Sequence, residues 1–328
     1  MNAILITGAA GYLGGHIIET IVKDQPDRKI IAIDNLSNHN FSILSWLKNH
    51  HNVFFLEADF ADVPKLENVL IKHNVSEVIH LAAKKYPTES FGQKDLYWNN
   101  NVSKLEILLD SLTKFEVKNL VFSSSASVYG DPIYIPIDEN HKIKPQSPYA
   151  VTKSKGEELC KLWQKNNERS KCIILRYFNP MGYSPNFKHQ QPLETGNMTI
   201  QDVLVASIIK RNNIISIYGT NHNTADGTAI RDFVHIKDLS NAHLAALVKI
   251  KAIKNTETIN IGTGKGTSLL NLIKRFSERK NVEIQYVDKG RRTDEISISY
   301  ASVGKAQETI NWSSEFSLND IIDAIQPD

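Results

Sequence analysis

The chain is poor in sulfur, with two cysteines and three methionines among 328 residues. Cys160 and Cys172 fall in a predicted helix and a predicted strand. Neither CxxC nor His-rich spacing accompanies them, so no disulfide framework and no zinc site are indicated, and both thiols read as buried and inert. No metal ligand is assigned. Long apolar runs are missing too: none reaches the roughly 18 residues needed to span a bilayer. The opening "MNAILITG" has no basic n-region and no long apolar h-region, which predicts a cytoplasmic protein without membrane contact. Charge of one sign is also absent. The 38 basic and 36 acidic residues leave a net charge of +2 with no basic block, which argues against nucleic acid. A hydrophobic content of 41% beside 23% charged residues excludes disordered and fibrous designs.

What is present is rhythm. "AILIT", "KIIAID", "VFFLEAD", "EVIHLAA", "NLVFSSS" and "CIILRYF" are short, β-branched and nearly continuously apolar, as strands buried on both faces of a parallel sheet must be. Amphipathic stretches at 12–24, 62–73, 95–116 and 148–168 alternate with them, which predicts a doubly wound α/β fold. The rhythm loosens after about residue 180 in "NPMGYSPNFKHQQPLETGNMT", a Pro-, Gly- and Asn-rich passage suited to loops that carry a binding surface. Later, "TINIGTG" and "EIQYVDKG" read as strands, and "VHIKDLSNAHLAALVKI" as a helix returning to the first unit. The expected division is a nucleotide-binding domain over 1–180, joined again by 230–265, and a smaller α/β domain over 181–229 and 266–328.

Gly8, Gly11 and Gly14 form G-x-x-G-x-x-G between a strand and a helix, a variant of the dinucleotide fingerprint. The first glycine permits the tight turn, the second lets backbone amides approach a pyrophosphate, and the third brings helix and strand together. Phosphates then face the helix N-terminus. Asp34 ends the next strand, where a carboxylate binds the adenosine ribose hydroxyls and repels a 2′-phosphate, so a Rossmann-type NAD site is expected rather than one for NADP. Two plainer alternatives stay open: the glycines as a tight connection, and Asp34 as the cap of the next segment. Asp59 in "EADF" is assigned to the adenine end, or else to a turn.

In "SPYAVTKSKGEEL", Tyr149 and Lys153 are four apart and share a helix face. Moving a phenol from about 10 to about 7 takes roughly 4 kcal/mol of preference for the phenolate. An ammonium and a positive nicotinamide ring act in that direction, so Tyr149 is the candidate base and Lys153 its activator and a ribose ligand. "VFSSSASVYG" brings Ser123, Ser124 and Ser125 to the carboxyl end of a strand, where open α/β sheets bind ligands.

These motifs, with "LRYFNPMG", "YGTNHNTADGTAIRDFVHIKDLSNAH", "NIGTGKGTSLL" and "GRRTDE", resemble over nearly the full length the extended short-chain dehydrogenase/reductase family, and within it the UDP-galactose 4-epimerases. The resemblance implies that hydride passes from hexose C4 to NAD and back to the other face of a transient 4-keto sugar, while Tyr149 and Ser125 handle the C4 proton. It implies cofactor contacts at Tyr12, Leu13, Asn35, Phe60, Leu81, Ala82, Ala83, Lys85, Asn100, Ser123, Tyr177 and Pro180. Asn179, Thr199, Ile200, Ser216, Tyr218, Arg231, Phe233, Arg292, Glu295 and Ser299 are implied for the UDP-hexose. Arg231 and Arg292 suit a diphosphate, since a guanidinium offers paired donors. A homodimer, formed by pairing the helices at 95–116 and 148–168, is implied as well.

The pattern departs in places. Ala126 and Ser127 replace the acid pair of related dehydratases, so C6 elimination has no acid. A UDP-glucuronate decarboxylase and an NAD-binding regulator remain alternatives. In 183–202 an ungapped count puts Thr199 and Ile200 against uridine, whereas a shift of two puts Asn197 and Met198 there. Either Asp294 or Glu295 meets the ribose. Tyr86 and Pro87 replace smaller residues near the hexose. Ser299 stands where a bulky tyrosine confines the family to glucose and galactose, and its smallness admits an N-acetyl group unless Tyr300 fills the space.

Overall fold

The structure is a computed structural model that describes residues 3–187, 198–209, 213–292 and 295–325. Seven strands form one parallel sheet: β1 (Ala3–Thr7), β2 (Ile30–Asp34), β3 (Val53–Glu57), β4 (Val75–His80), β5 (Asn119–Ser125), β6 (Lys171–Tyr177) and β7 (Glu257–Ile261). Their spatial order is β3-β2-β1-β4-β5-β6-β7. The strand order reverses between β1 and β4, the place where doubly wound sheets open a crevice for ligands.

Period-two alternation decides which residue serves which face. Ile4 and Ile6 of β1 pack with α1 (Tyr12–Asp24) and with the helix Ile236–Lys249, through Ile17, Ile18, Ile21, Leu239 and Ala242. Ala3 and Leu5 point the other way, to Leu66, Leu70, Leu105, Leu108 and Trp163 of α2 (Val63–Lys72), α3 (Lys104–Lys114) and α4 (Pro148–Asn166). Each such buried side chain contributes about 1.5–3 kcal/mol, which explains why the strand runs are mostly apolar on both faces. Cys160 and Cys172 are buried and unpaired in the second layer.

The helix predicted over 95–116 is not continuous. It comprises Lys94–Trp98, a π turn over Asn99–Ser103, and α3. Three successive asparagines are poor helix formers, and one of them finds better partners outside the helix. The Asn101 amide accepts from Lys84 N–H at 2.9 Å, and donates to the Lys84 carbonyl at 3.0 Å and to Thr152 Oγ1 at 3.1 Å.

Beyond β6 the chain builds smaller pieces. Ile214–Ile217 pairs in parallel with Gln285–Asp288, and Ile230–Arg231 lies between Thr267–Ser268 and Ile298–Ser299. A separate apolar cluster around Leu204, Ile217, Phe233, Leu272, Phe276 and Ile322 holds them. No helix among the described residues is long and apolar enough to cross a membrane.

Candidate active site

A cavity of about 920 Å³ runs from the carboxyl end of the sheet into the smaller unit. At one end the strand-to-helix turn is fixed by two glycines. Gly8 has φ +72°, and a Cβ there would lie 2.8 Å from the Ala82 nitrogen. A Cβ on Gly14 would lie 2.3 Å from the Gly8 carbonyl oxygen. α1 starts with no side-chain cap, and Gly11, Tyr12 and Leu13 line the cavity, so its first amides face the space. Asp34 accepts from Ala10 N–H at 3.0 Å and from Leu36 N–H at 2.8 Å. Burial raises its carboxyl above the ordinary range, and these two bonds draw it back. The glycine cradle, the uncapped helix end and the carboxylate beyond them fit a dinucleotide with a free ribose. Asn35, Phe60, Leu81, Ala82, Ala83, Lys85 and Asn100 also line the wall.

Asp59, assigned to the adenine end or else to a turn, makes a turn contact and an ion pair. Ala58 and Phe60 line the cavity, whereas Asp59 does not. Its carboxylate is taken up by Lys104 Nζ and by Ala61 N–H at 2.9 Å. Burial would raise it, but these bonds hold it below the usual range.

The chemistry-bearing groups meet midway. α4 begins cleanly: Ser147 accepts from Ala150 N–H at 3.2 Å and Pro148 opens the helix, which puts Tyr149 in its first turn. Tyr149 N–H donates to Ser90 Oγ at 3.1 Å, and its carbonyl accepts from Thr152 at 2.7 Å. β5 ends at Ser125, whose oxygen accepts from Ser127 N–H at 3.2 Å and from Ser127 Oγ at 3.0 Å. With those acceptor positions engaged, the Ser125 proton is directed to its partner Tyr149. Burial raises the Tyr149 phenol and the Ser125 bond lowers it. Lys153 donates to the Ser123 carbonyl at 2.8 Å, and burial brings its ammonium down to about 8. The protein alone therefore does not depress the phenol as its spacing from Lys153 suggests. Tyr177 and Pro180 close the wall, and the Tyr177 hydroxyl meets His243 Nε2 at 2.6 Å.

At the far end the cations are already engaged. Arg231 Nη2 donates to Glu295 at 2.6 Å, and the Arg292 guanidinium lies 3.5 Å over the Tyr218 ring. Asn179, Thr199, Ile200, Ser216, Phe233 and Ser299 line the same end. Ser299 sits opposite Arg231 in the strand pair. Tyr300 does not fill its place: its ring lies against Gly266 and its carbonyl accepts from Ile137 N–H at 2.9 Å. Met198 shares the wall with Thr199 and Ile200, while Asn197 and Asp294 lie outside the described residues.

Sequence reasoning missed several wall residues. His39 lies beyond Asp34, and Gln201, which also lines the cavity, accepts from Gly182 N–H at 2.5 Å. Tyr97 accepts from Tyr86 N–H at 3.1 Å and donates to the Tyr86 carbonyl at 2.9 Å, fixing that stretch of wall. The asparagine run "NNN", poor in helix propensity, is a signal that could have pointed to Tyr97.

The family model described as NAD dependent epimerase/dehydratase family matches residues 4–262. UDP-glucose 4-epimerase 2 of Arabidopsis thaliana is 35% identical over 318 residues, 95% of this chain and 90% of that protein. The crystal structure of UDP-glucose-4-epimerase from Stenotrophomonas maltophila, with bound NAD and formylated UDP-arabinopyranose, aligns with a TM-score of 0.91 at 28% identity, covering 99% of this chain and 97% of that one. The UDP-Glc/GlcNAc 4-epimerase of Campylobacter jejuni aligns with a TM-score of 0.85 at 28% identity, covering 99% and 98%.

Proposed function

Because the chain belongs to the NAD dependent epimerase/dehydratase family, we propose that it is an isomerase that uses NAD to invert C4 of a UDP-hexose. The observation that carries this reading is the placement of Tyr149, Ser125 and Lys153 midway along one cavity, with the glycine turn and Asp34 at one end and Arg231 and Arg292 at the other. The two ends would hold a dinucleotide and a nucleotide sugar, with Tyr149 between them.

Oxidised NAD, held by the glycine turn, Asp34 and Lys153, would supply the hydride acceptor for C4 and a positive charge that favours the phenolate. The protein does the rest. Tyr149, through Ser125, takes the C4 hydroxyl proton and returns it; Ser125 donates toward the phenol oxygen and so favours its ionised form. Lys153 keeps positive charge at the same place. Arg231 and Arg292 anchor the diphosphate, Arg231 exchanging Glu295 for phosphate oxygens, so that the hexose can turn while UDP stays fixed. Thr199 and Ile200 face uridine, and Glu295 is the carboxylate we assign to the ribose. Residues 1–180 with 230–265 carry the cofactor, and the remainder carries the sugar nucleotide. The UDP-glucuronate decarboxylase and regulator readings are not favoured, since the relatives reported above are 4-epimerases.

We further assign UDP-GlcNAc and UDP-GalNAc as substrates beside UDP-Glc and UDP-Gal, because small Ser299 lines the cavity and Tyr300 is turned away. Trp98, Ile107, Val151 and Leu162 are exposed on the helices that the homodimer reading pairs, so we place a cytoplasmic homodimer there. Incubation with a panel of UDP-sugars, without added NAD, should yield C4 epimers. Tyr149→Phe should cost roughly 10³-fold in kcat with NAD retained. Ser299→Tyr should abolish N-acetyl turnover and spare UDP-Gal. Carbon dioxide from UDP-glucuronate, or NAD binding with no conversion of any sugar, would overturn the reading.

A further inference from the structure

Behind Ser125 and Tyr149 lies a polar network that the chemistry above does not use. Ser124, Arg176 and Asn260 occupy one register level across β5, β6 and β7. From α4, Glu157 reaches down onto that row. Its carboxylate accepts from Ser124 Oγ at 2.6 Å, from Arg176 Nε at 2.8 Å and from Arg176 Nη2 at 2.6 Å. Arg176 also donates to the Tyr129 hydroxyl at 2.8 Å, and that hydroxyl donates to Asn260 Oδ1 at 2.6 Å. Side-chain exposure of the ion pair is 3% and 4%, so both charges are out of water. Replacing such a pair with apolar side chains is often neutral for stability, so its presence calls for a second reason.

Glu157 follows Lys153 by four residues and so lies one turn further on the same helix face. We propose that Glu157, held by Arg176 and Ser124, is a positioning residue for the Tyr149–Lys153 pair: it fixes α4 on the ends of β5 and β6 and supplies the counter-charge that keeps Lys153 an ammonium in a closed site. This rests on the epimerase reading for its activity arm alone.

The other groups around Lys153 provide no such charge. On β4, His80 is bonded to Thr7 at 2.8 Å and is driven by burial to about 3, so it stays neutral. On α4, burial pushes the Cys160 thiol well up, and Tyr149 is raised. Burial also raises Tyr177 on β6. β5 offers the Phe122 ring at 5.4 Å and the Ser123 carbonyl. Beyond Glu157, Lys161 stands 3.8 Å from its carboxylate and is half exposed. Burial lowers Lys153 to about 8, while Cys160 and Glu157 oppose that fall. Since the thiol is protonated, Glu157 is the anion whose removal matters, and its loss also leaves the Arg176 guanidinium unopposed.

The test compares NAD-loaded wild type, Glu157→Gln and the double variant Glu157→Gln/Arg176→Met, which leaves no unpaired buried charge if the single variant does not fold. The kcat pH profile for UDP-hexose epimerisation should show an alkaline limb near pH 8 in the wild type, moved down by roughly one unit in Glu157→Gln and by less in the double variant, which removes the Arg176 cation with the anion. That is about a five-fold loss at pH 8 and almost none at pH 6, with KM unchanged. In parallel, the titration of Lys153 itself, read by NMR of the isotope-labelled lysine side chain and assigned with Lys153→Arg, should shift by the same amount. The second readout needs no turnover, so a protein that epimerises nothing would sink the functional reading and still decide this one. A Glu157→Asp variant should restore most of the limb. An equal loss at every pH, or a Lys153 midpoint that does not move, would show that the pair serves only stability.

Discussion

The two ends of the cavity are built by different means. At the cofactor end, position is set by backbone: a glycine turn whose neighbours leave no room for a Cβ, a helix end without a cap, and a carboxylate bonded to main-chain amides. At the sugar-nucleotide end, position is set by long side chains on two-residue strands and loops, and those side chains engage one another: Arg231 with Glu295, Arg292 with Tyr218. A backbone site is ready before its ligand arrives. A side-chain site must trade internal partners for the ligand, so its affinity is tunable and its loss graded.

The largest effect that can break this contrast is Gly14→Ala. By helix propensity the change should help by about 1 kcal/mol. Here the new methyl would come within 2.3 Å of a backbone oxygen that cannot move without opening the phosphate turn. Purified variant should carry almost no NAD, read from the cofactor released on denaturation, and added NAD should bind at least 100-fold more weakly than to the wild type, a loss of about 2.7 kcal/mol. Full NAD content would mean that the cofactor end adapts as freely as the other.

Arg292→Ala probes the graded end. Charged hydrogen bonds are worth about 1.5–3 kcal/mol, so KM for the UDP-sugar should rise about 10- to 100-fold, with NAD content unchanged and kcat within a few-fold. Isothermal titration with UDP isolates the effect, since it involves no hexose. A change in NAD retention of similar size would mean that the two ends are not independent.

The same contrast explains what could be read in advance. β1 was legible to the residue as "AILIT", because strands buried on both faces leave a nearly unbroken apolar run. Gly8, Gly14 and Asp34 were legible because few residues can do what those positions require. Asp59 was left between two roles because a carboxylate after a strand has several partners within reach, and Lys104, 45 residues away, is visible only once folded. The break at Asn99–Ser103 was read as helix because its partner, Lys84, is distant in sequence. Whether Ser299 or Tyr300 faces the cavity depended on one residue of register in a two-residue strand, which no periodicity fixes.

The smallest effect sharpens the contrast through pH. His16, His80 and His243 are buried against the seven-stranded sheet. Burial lowers them to about 4, about 3 and about 4, respectively. His16 accepts from Ser184 N–H at Nε2 at 3.0 Å, which requires that nitrogen to be unprotonated. A histidine whose folded pKa lies below its unfolded value of about 6.5 binds fewer protons folded than unfolded, so stability rises with pH between the two values and is lost as pH falls through that interval. Each should remove on the order of 1 kcal/mol between pH 6.5 and pH 5. Acid unfolding should therefore start in the half whose site is built from backbone, not in the half whose site is built from long side chains. Hydrogen exchange followed by mass spectrometry at pH 6.5 and 5, corrected for the intrinsic pH dependence of exchange, checks this. Protection should fall first in β1, β4 and the helix Ile236–Lys249, and the strand pair Ile214–Ile217 with Gln285–Asp288 should hold. The reverse order would mean that the salt-linked end, not the histidines, limits tolerance to acid.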